Sequence, residues 1–326
     1  MLSLICLSAN GEINFPKDHG PHFDNKLEWW YVTGNLKNDQ DEKFGFQWTL
    51  FRFSDLIIET ENSNPSQFWM GHSALTGTDF HNSFESISAG DTGRAGVRFN
   101  PFTAFIDDWR LESKAPEGFD LFSSLTLTSN TPNFSYHLSL KTDKPIVKHG
   151  KDGISTKTES GHFSYYYSQP FLNVNGEIKI KDRVPFNVKG KAWLDREWSN
   201  SLLSVHESGW DWFALHLDNG DRLMVFQVRN NKLPFLAGTF IQKNGTIKTI
   251  NKQDILLKPE LSLFSRVNPP KSWRIEIANL NIDILVEPDY PNPITGDLFR
   301  YWEGPITVSG NRSGVGYLEM TGYAFD

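Results

Sequence analysis

Short runs of β-branched and aromatic residues, each broken by Gly, Asn or Asp, fill this chain, and no stretch carries a capped apolar period of 3.6 residues. That pattern restricts the fold to antiparallel β architectures. Strands are expected over Trp29–Leu36, Phe44–Phe53, Leu121–Thr128, Phe134–Leu140 and Ile178–Ile180. Later runs are Trp210–Leu217, Arg222–Val228, Leu236–Gln242, Trp273–Ile277 and Val315–Tyr323. Asn219-Gly220 and Asn244-Gly245 sit between alternating runs, where they predict tight type I′ hairpins. The regular strand spacing points to sandwiches or barrels, and no short repeat suggests a solenoid or propeller.

At 326 residues the chain is too long for one ordinary sandwich and suits two packed all-β domains. Two polar segments compete for the boundary, Lys141–Glu159 and Lys181–Pro185. Phe163–Tyr167 still reads as a strand of the first half, so the expected domains are 15–183 and 184–326. Residues 1–9 are apolar and end in small side chains but lack a basic n-region, so 1–14 reads either as the remnant of an export signal or as a plain disordered or strand-like N-terminus, the former preferred. The expected location is therefore periplasmic or secreted. Cys6 is the only cysteine, so no internal disulfide can form. The net charge of −7, with no basic stripe between aromatics, argues against a nucleic-acid partner. No apolar run reaches the roughly 18 residues of a membrane helix.

Aromatics make up 14% of the chain, with 11 Trp, and acidic residues repeatedly stand directly beside tryptophans. In Lys191–Ser199, strand alternation puts Trp193, Asp195, Glu197 and Ser199 on one face and Leu194, Arg196 and Trp198 on the other. Two carboxyls so close perturb each other, and out of water one can stay protonated, giving a general acid beside a general base. The competing reading is a salt-bridged network that keeps both ionised. Asp18, His19, His22 and Glu28 flank a Gly-Pro turn and read either as a metal site or as a loop anchored by hydrogen bonds. Arg52 shares a face with Phe46, Trp48 and Leu50, so it needs a carboxylate partner such as Glu28. His72 reads as a satisfied core histidine. In Gly161–Ser168 one face carries His162, Ser164 and Tyr166, and the other Phe163, Tyr165 and Tyr167. Trp210-Asp211-Trp212 and Trp302-Glu303 are either pocket walls or core strands. The chain has no Gly-x-Ser-x-Gly elbow, phosphate loop, dinucleotide fingerprint or His-Glu-x-x-His.

These motifs together resemble the AttH/CrtC group, which includes bacterial carotenoid hydratases and many predicted secreted hydrolases. The residues that carry the likeness are Phe15-Pro-x-Asp18-His-Gly-x-His22, Glu28-Trp-Trp-Tyr-Val-Thr-Gly34 and Gly45-x-Gln-x-Thr-x-Phe-Arg52. Trp193-x-Asp-Arg-Glu-Trp-Ser199 and Gly316-Tyr-x-Glu-x-Thr-Gly-Tyr323 complete it. The resemblance implies two lipocalin-like barrels with a pocket near their interface, export, and an ABC-type exporter as partner. It implies cofactor-free, metal-free hydratase or hydrolase chemistry on an apolar or isoprenoid-like molecule. Asp195 would then be the proton donor, Glu197 its partner, and His162 and Tyr167 the water-positioning groups. Trp193, Trp30, Trp212, Tyr165 and His72 would line the substrate, while Asp18, His22, Glu28, Arg52 and Arg196 support the site. The Asp-Arg-Glu-Trp wording is that of the AttH branch, which makes a carotenoid substrate doubtful. Two alternatives stay open: a non-catalytic carrier working with the exporter, and a metal-dependent hydrolase using His19, His22 and His72.

Overall fold

The structure, a computed structural model, describes residues 12–54, 67–200, 207–230, 233–260, 269–290 and 293–324. Cys6 and most of the candidate export signal lie outside the described residues. Two nearly closed, barrel-like antiparallel sheets account for the fold. The first runs, in hydrogen-bonded order, Phe80–Ala89, Gln67–Gly77, Lys43–Ser54, Leu27–Asn38, Phe186–Ser199 and Phe163–Ile180. It continues through Phe134–Lys141, Ser124–Asn130, Trp109–Ser113, Thr103–Ile106 and Ala95–Arg98. The second runs Ile247–Ile250, Phe235–Ile241, Arg222–Asn230, Glu207–Leu217, Gly314–Met320, Tyr301–Gly310, Ile282–Pro288, Ser272–Ile277 and Ile255–Glu260. The helices among the described residues are four three-residue 3-10 turns.

The expected boundary at 183 is wrong. Phe186–Ser199 pairs with Leu27–Asn38 on one side and Phe163–Ile180 on the other, so it is central to the first sheet. Lys181–Pro185 is a hairpin turn, and the chain changes barrel between Asn200 and Glu207. The expected strand at Leu121 begins late, because the Asp120 carboxylate accepts the Phe122 N–H (2.8 Å) and winds Leu121–Ser123 into a 3-10 turn. The hairpins also differ from type I′. Gly220 N donates to Leu217 O and Leu217 N to Asp221 O, with only the glycine left-handed (φ 94°). That is a three-residue loop, repeated at Gln242–Thr246 with Gly245 at φ 93°.

Each barrel has its own core, and a third cluster lies between them. Along Leu27–Asn38, Trp30, Val32 and Leu36 point into the first core, while Tyr31 and Trp29 point outward. Along Glu207–Leu217, Phe213, Leu215 and Leu217 fill the second core, while Trp212 and Ala214 face the first barrel. The outer faces of the two barrels therefore pack against each other, and strands along this seam are buried on both sides.

Candidate functional site

A cavity of about 490 Å³ opens in the seam. Leu27, Trp29, Tyr31, Phe51 and Met70 line it from the first barrel, and Trp210, Trp212, Phe226 and Tyr301 from the second. Aromatic and aliphatic walls with few polar groups suit a small apolar ligand. Three carboxyls, Asp195, Glu197 and Glu319, interrupt these walls.

Asp195 is 3% exposed and has no cationic partner among the described residues. Its Oδ2 accepts from the Tyr166 hydroxyl (2.7 Å), and its Oδ1 from Trp193 Nε1–H (2.6 Å) and the Ser168 hydroxyl. Burial pushes the carboxyl up to about 7 against these three donors, with the charge of Glu197 adding to the rise. A buried carboxyl without a countercharge neutralises itself by taking a proton. The donors are themselves held. Trp212 Nε1–H donates to the Tyr166 oxygen (3.0 Å), and His149 Nε2 sits 2.6 Å from Ser168 Oγ. Because Ser168 donates to Asp195, its oxygen accepts from His149 Nε2–H, which leaves Nδ1 to accept from Thr239 (2.9 Å). Burial holds the His149 imidazole down to about 3, in agreement with a neutral ring.

Glu197, in contrast, pairs with Lys157 Nζ at 2.9 Å, and that ammonium also lies 4.7 Å over the Tyr166 ring and 4.5 Å over the Phe226 ring. The two carboxyls on one strand face thus divide: one ion-paired, one free to hold a proton. Glu319 accepts from Trp210 Nε1–H, and burial lifts it too to about 7, with the charges of Asp195 and Glu197 contributing. Ser164 Oγ faces the cavity without a partner among the described residues.

The other expected site residues divide. His162 and Trp212 line the cavity. Trp193 lies behind Asp195 and spends its N–H there, so it is no wall. Tyr167 is not at the cavity: its hydroxyl donates to Asp18 O (3.2 Å) and lies 2.8 Å from His19 Nδ1 within the first core. Tyr165 stacks on Trp198 (5.3 Å), and Trp30 is a core residue whose Nε1–H donates to His19 O (2.8 Å). One step along a strand reverses the face, so the neighbours take the seam side: Trp29 lines the cavity and Tyr166 bonds to Asp195 at its wall. His72 is one bond behind the wall, with Nδ1 2.8 Å from the Tyr301 hydroxyl and Nε2 2.9 Å from Glu85.

Asp18, His22, Glu28, Arg52 and Arg196 form one buried network. Glu28 takes Arg52 Nε on one oxygen and Arg196 Nη2 on the other, and both oxygens accept from His22 N–H (3.0 Å). Arg196 lies 3.9 Å over Trp30, and the His22 ring stacks on Trp198 at 3.9 Å with Nε2 3.3 Å from Asp18. Burial works against the ionised Glu28, yet Arg196, His22 and Arg52 overcome it and hold the carboxyl down at about 2. The cluster pins the Phe15–Asn25 loop to the barrel. His19, His22 and His72 bond to different partners, and the described residues contain no group of three metal-ligating side chains. Asp211 is ion-paired to Arg229 and accepts from Gln227 (2.7 Å), so that acid-beside-indole pair is structural. Glu303 accepts from the Tyr31 hydroxyl behind the cavity wall, and burial lifts its carboxyl well above the usual range.

The sequence pointed to neither Glu319, Lys157, Trp29 nor Tyr31 as site residues, and it put Tyr166 on the right face but gave the role to Tyr167. Glu319 stands in the Gly316–Tyr323 motif, and its register opposite Trp212 and Glu303 carries the missing signal.

Two antiparallel barrels with an acid-lined apolar cavity at their seam define a lipocalin-like double-barrel protein. The chain belongs to the AttH-like family, whose profile matches residues 7–323. The crystal structure of an AttH from Nitrosomonas europaea superposes with a TM-score of 0.83 at 27% identity, covering 97% of this chain and 98% of that one. Kievitone hydratase from Nectria haematococca shares the fold at TM-score 0.70 and 16% identity, over 98% of this chain and 95% of its own. CghA, solved with Sch210972, shares it at 0.56 and 9%, over 90% and 88%. No curated protein matches the chain by sequence.

Proposed function

We propose that this protein is a cofactor-free hydratase for an apolar, isoprenoid-like small molecule, with Asp195 as the proton donor. The observation that supports this most is a carboxyl lifted to about 7 at the wall of an aromatic cavity, with no cation beside it among the described residues. A general acid works best when its pKa lies near the operating pH. The Asp195 proton goes to one carbon of a carbon–carbon double bond, whose π pair forms the new C–H bond. The cation left on the other carbon faces Trp29, Tyr31 and Trp212, whose ring faces attract positive charge. Water adds to that carbon and gives its proton to the Glu319 carboxylate, and transfer back to Asp195 restores the starting state. The kinship in fold with a protein named as a hydratase accords with this chemistry.

A carrier that passes an apolar ligand to an ABC-type exporter needs the cavity but not a neutral carboxyl in its wall. Export to the periplasm suits either role and belongs to the same proposal. Incubation with a panel of polyenes, prenylated phenols and esters separates the two. The hydratase reading expects turnover by the wild type and loss of about 10²–10⁴-fold in Asp195→Asn. Turnover that survives Asp195→Asn unchanged overturns the assignment, and saturable binding with no turnover across the panel supports the carrier.

A further inference from the structure

The seam has a second cleft at its other end, of about 240 Å³, and its charge is opposite. On one face of Phe186–Ser199 stand, in order, Lys189, Lys191, Trp193, Asp195 and Glu197. The acids close the large cavity, while the lysines line the small cleft. Lys37 is directly opposite Lys43 in one neighbouring strand and Lys189 in the other. Like charges in directly opposed positions of a sheet repel at Cβ separations of about 5 Å. Lys37 reaches Asp41 at 3.4 Å, but no ion pair within the described residues neutralises Lys43, Lys189 or Lys191. Lys191 is half-buried, and burial together with the nearby Arg222 lowers its pKa against the opposing charge of Asp218. Among the described residues the one acid lining the cleft is Asp289, which is already bonded to Thr307. Tyr290 and Pro305 of the second barrel form the other wall; Lys37, Lys43 and Lys189 stand exposed at the rim, and Lys191 reaches furthest in.

We propose that this cleft binds a phosphoryl group, either as a free phosphate or phosphate monoester or as the headgroup of an anionic lipid. The volume equals about eight waters, which admits a headgroup and excludes a whole amphiphile. A phosphate monoester brings a charge of about −1.5 to −2 at neutral pH, which offsets the excess of lysine charge. Lysines act on it as mobile point charges.

The test uses the full chain, with Lys189→Gln/Lys191→Gln and Lys189→Arg/Lys191→Arg as variants. Inorganic phosphate and glycerol phosphate are titrated calorimetrically at low salt, and phosphatidylcholine vesicles with and without phosphatidate are co-sedimented. Expected is saturable, salt-sensitive binding of at least one phosphate source by the wild type, weakened at least tenfold in the Gln variant and retained in the Arg variant. Binding only to free phosphate identifies a soluble ligand, and binding only to phosphatidate vesicles identifies a headgroup. Absence of binding to both, or binding unchanged in the Gln variant, overturns the proposal. Thermal unfolding supplies a further check. Relief of repulsion leaves the ligand-free Gln variant at least as stable as the wild type, and a clear fall in Tm would instead make these lysines structural. Asp195 and the large cavity are untouched by these variants, so this outcome is independent of the hydratase reading.

Discussion

Asp195→Asn is expected to stabilise the protein, and to do so only where the carboxyl would ionise. The Asp195 carboxyl rises from an ordinary 3.8 to about 7 on folding, because burial outweighs three hydrogen-bond donors. That difference of about three pH units, at about 1.4 kcal/mol each, amounts to roughly 4 kcal/mol. The sign follows from proton counting. Between pH 3.8 and 7 the folded chain holds a proton that the unfolded chain has lost, so stability falls as pH rises through that window. The full cost is present above 7. Asparagine cannot ionise and so escapes it. Its carbonyl oxygen can still accept from Ser168 and Trp193, while its amide must donate to the Tyr166 oxygen, which already accepts from Trp212. Rearranging that bond costs about 1 kcal/mol. The variant should therefore match the wild type within about 1 kcal/mol at pH 4 and exceed it by about 2–4 kcal/mol at pH 8. Urea unfolding followed by tryptophan fluorescence at pH 4, 6 and 8 measures the difference. A difference that stays flat across this range, or a variant less stable at pH 8, would show that Asp195 is an ionised structural acceptor. The proposed chemistry would then lose its acid. A gain in stability paired with lost turnover is the trade expected of a group kept for function at a cost to the fold.

Two further outcomes follow from the same networks. Glu28→Gln leaves Arg52 and Arg196 buried against a neutral partner, and unfolding should show a loss of about 3–5 kcal/mol at pH 7. Because the Glu28 carboxyl is held down at about 2, its contribution is complete above about 4.5 and disappears as pH falls through 2, so the variant and wild type should converge in acid. Tyr166→Phe removes a donor to Asp195 and should cut turnover with an upward shift of the basic limb of the pH profile. Tyr167→Phe should leave turnover intact and cost about 1–3 kcal/mol of stability by orphaning His19 Nδ1. Equal kinetic effects of the two would contradict the placement of the site.

The division between what the sequence disclosed and what it concealed follows from the seam. Strand positions were legible because period-2 patterning and turn residues are local. The Glu28–Arg52 pair was legible because a cation among Phe46, Trp48 and Leu50 has few ways to be satisfied. The side of each strand that faces the site was harder to read. Ordinary antiparallel strands show one apolar face and one polar face, which fixes inside from outside. Here the outer faces of both barrels are buried against each other, so Trp29 and Trp30, or Tyr166 and Tyr167, carry equal apolar weight on opposite faces. Composition cannot choose between them. Parity can: Glu28 bonds to Arg52 and Arg196 on the first-core side, and this commits Trp30 to that side and Trp29 and Tyr31 to the seam. Register then extends the assignment across the sheet, since Asp195 stands opposite both Tyr31 and Ser168. The same nonlocality misplaced the domain boundary. A polar turn at Lys181–Pro185 looks like a linker until the strand after it proves to lie between Leu27–Asn38 and Phe163–Ile180, pairings that span up to 172 residues between Leu27 and Ser199. The chemistry of this fold is thus written in which of two adjacent aromatics a single buried ion pair turns outward.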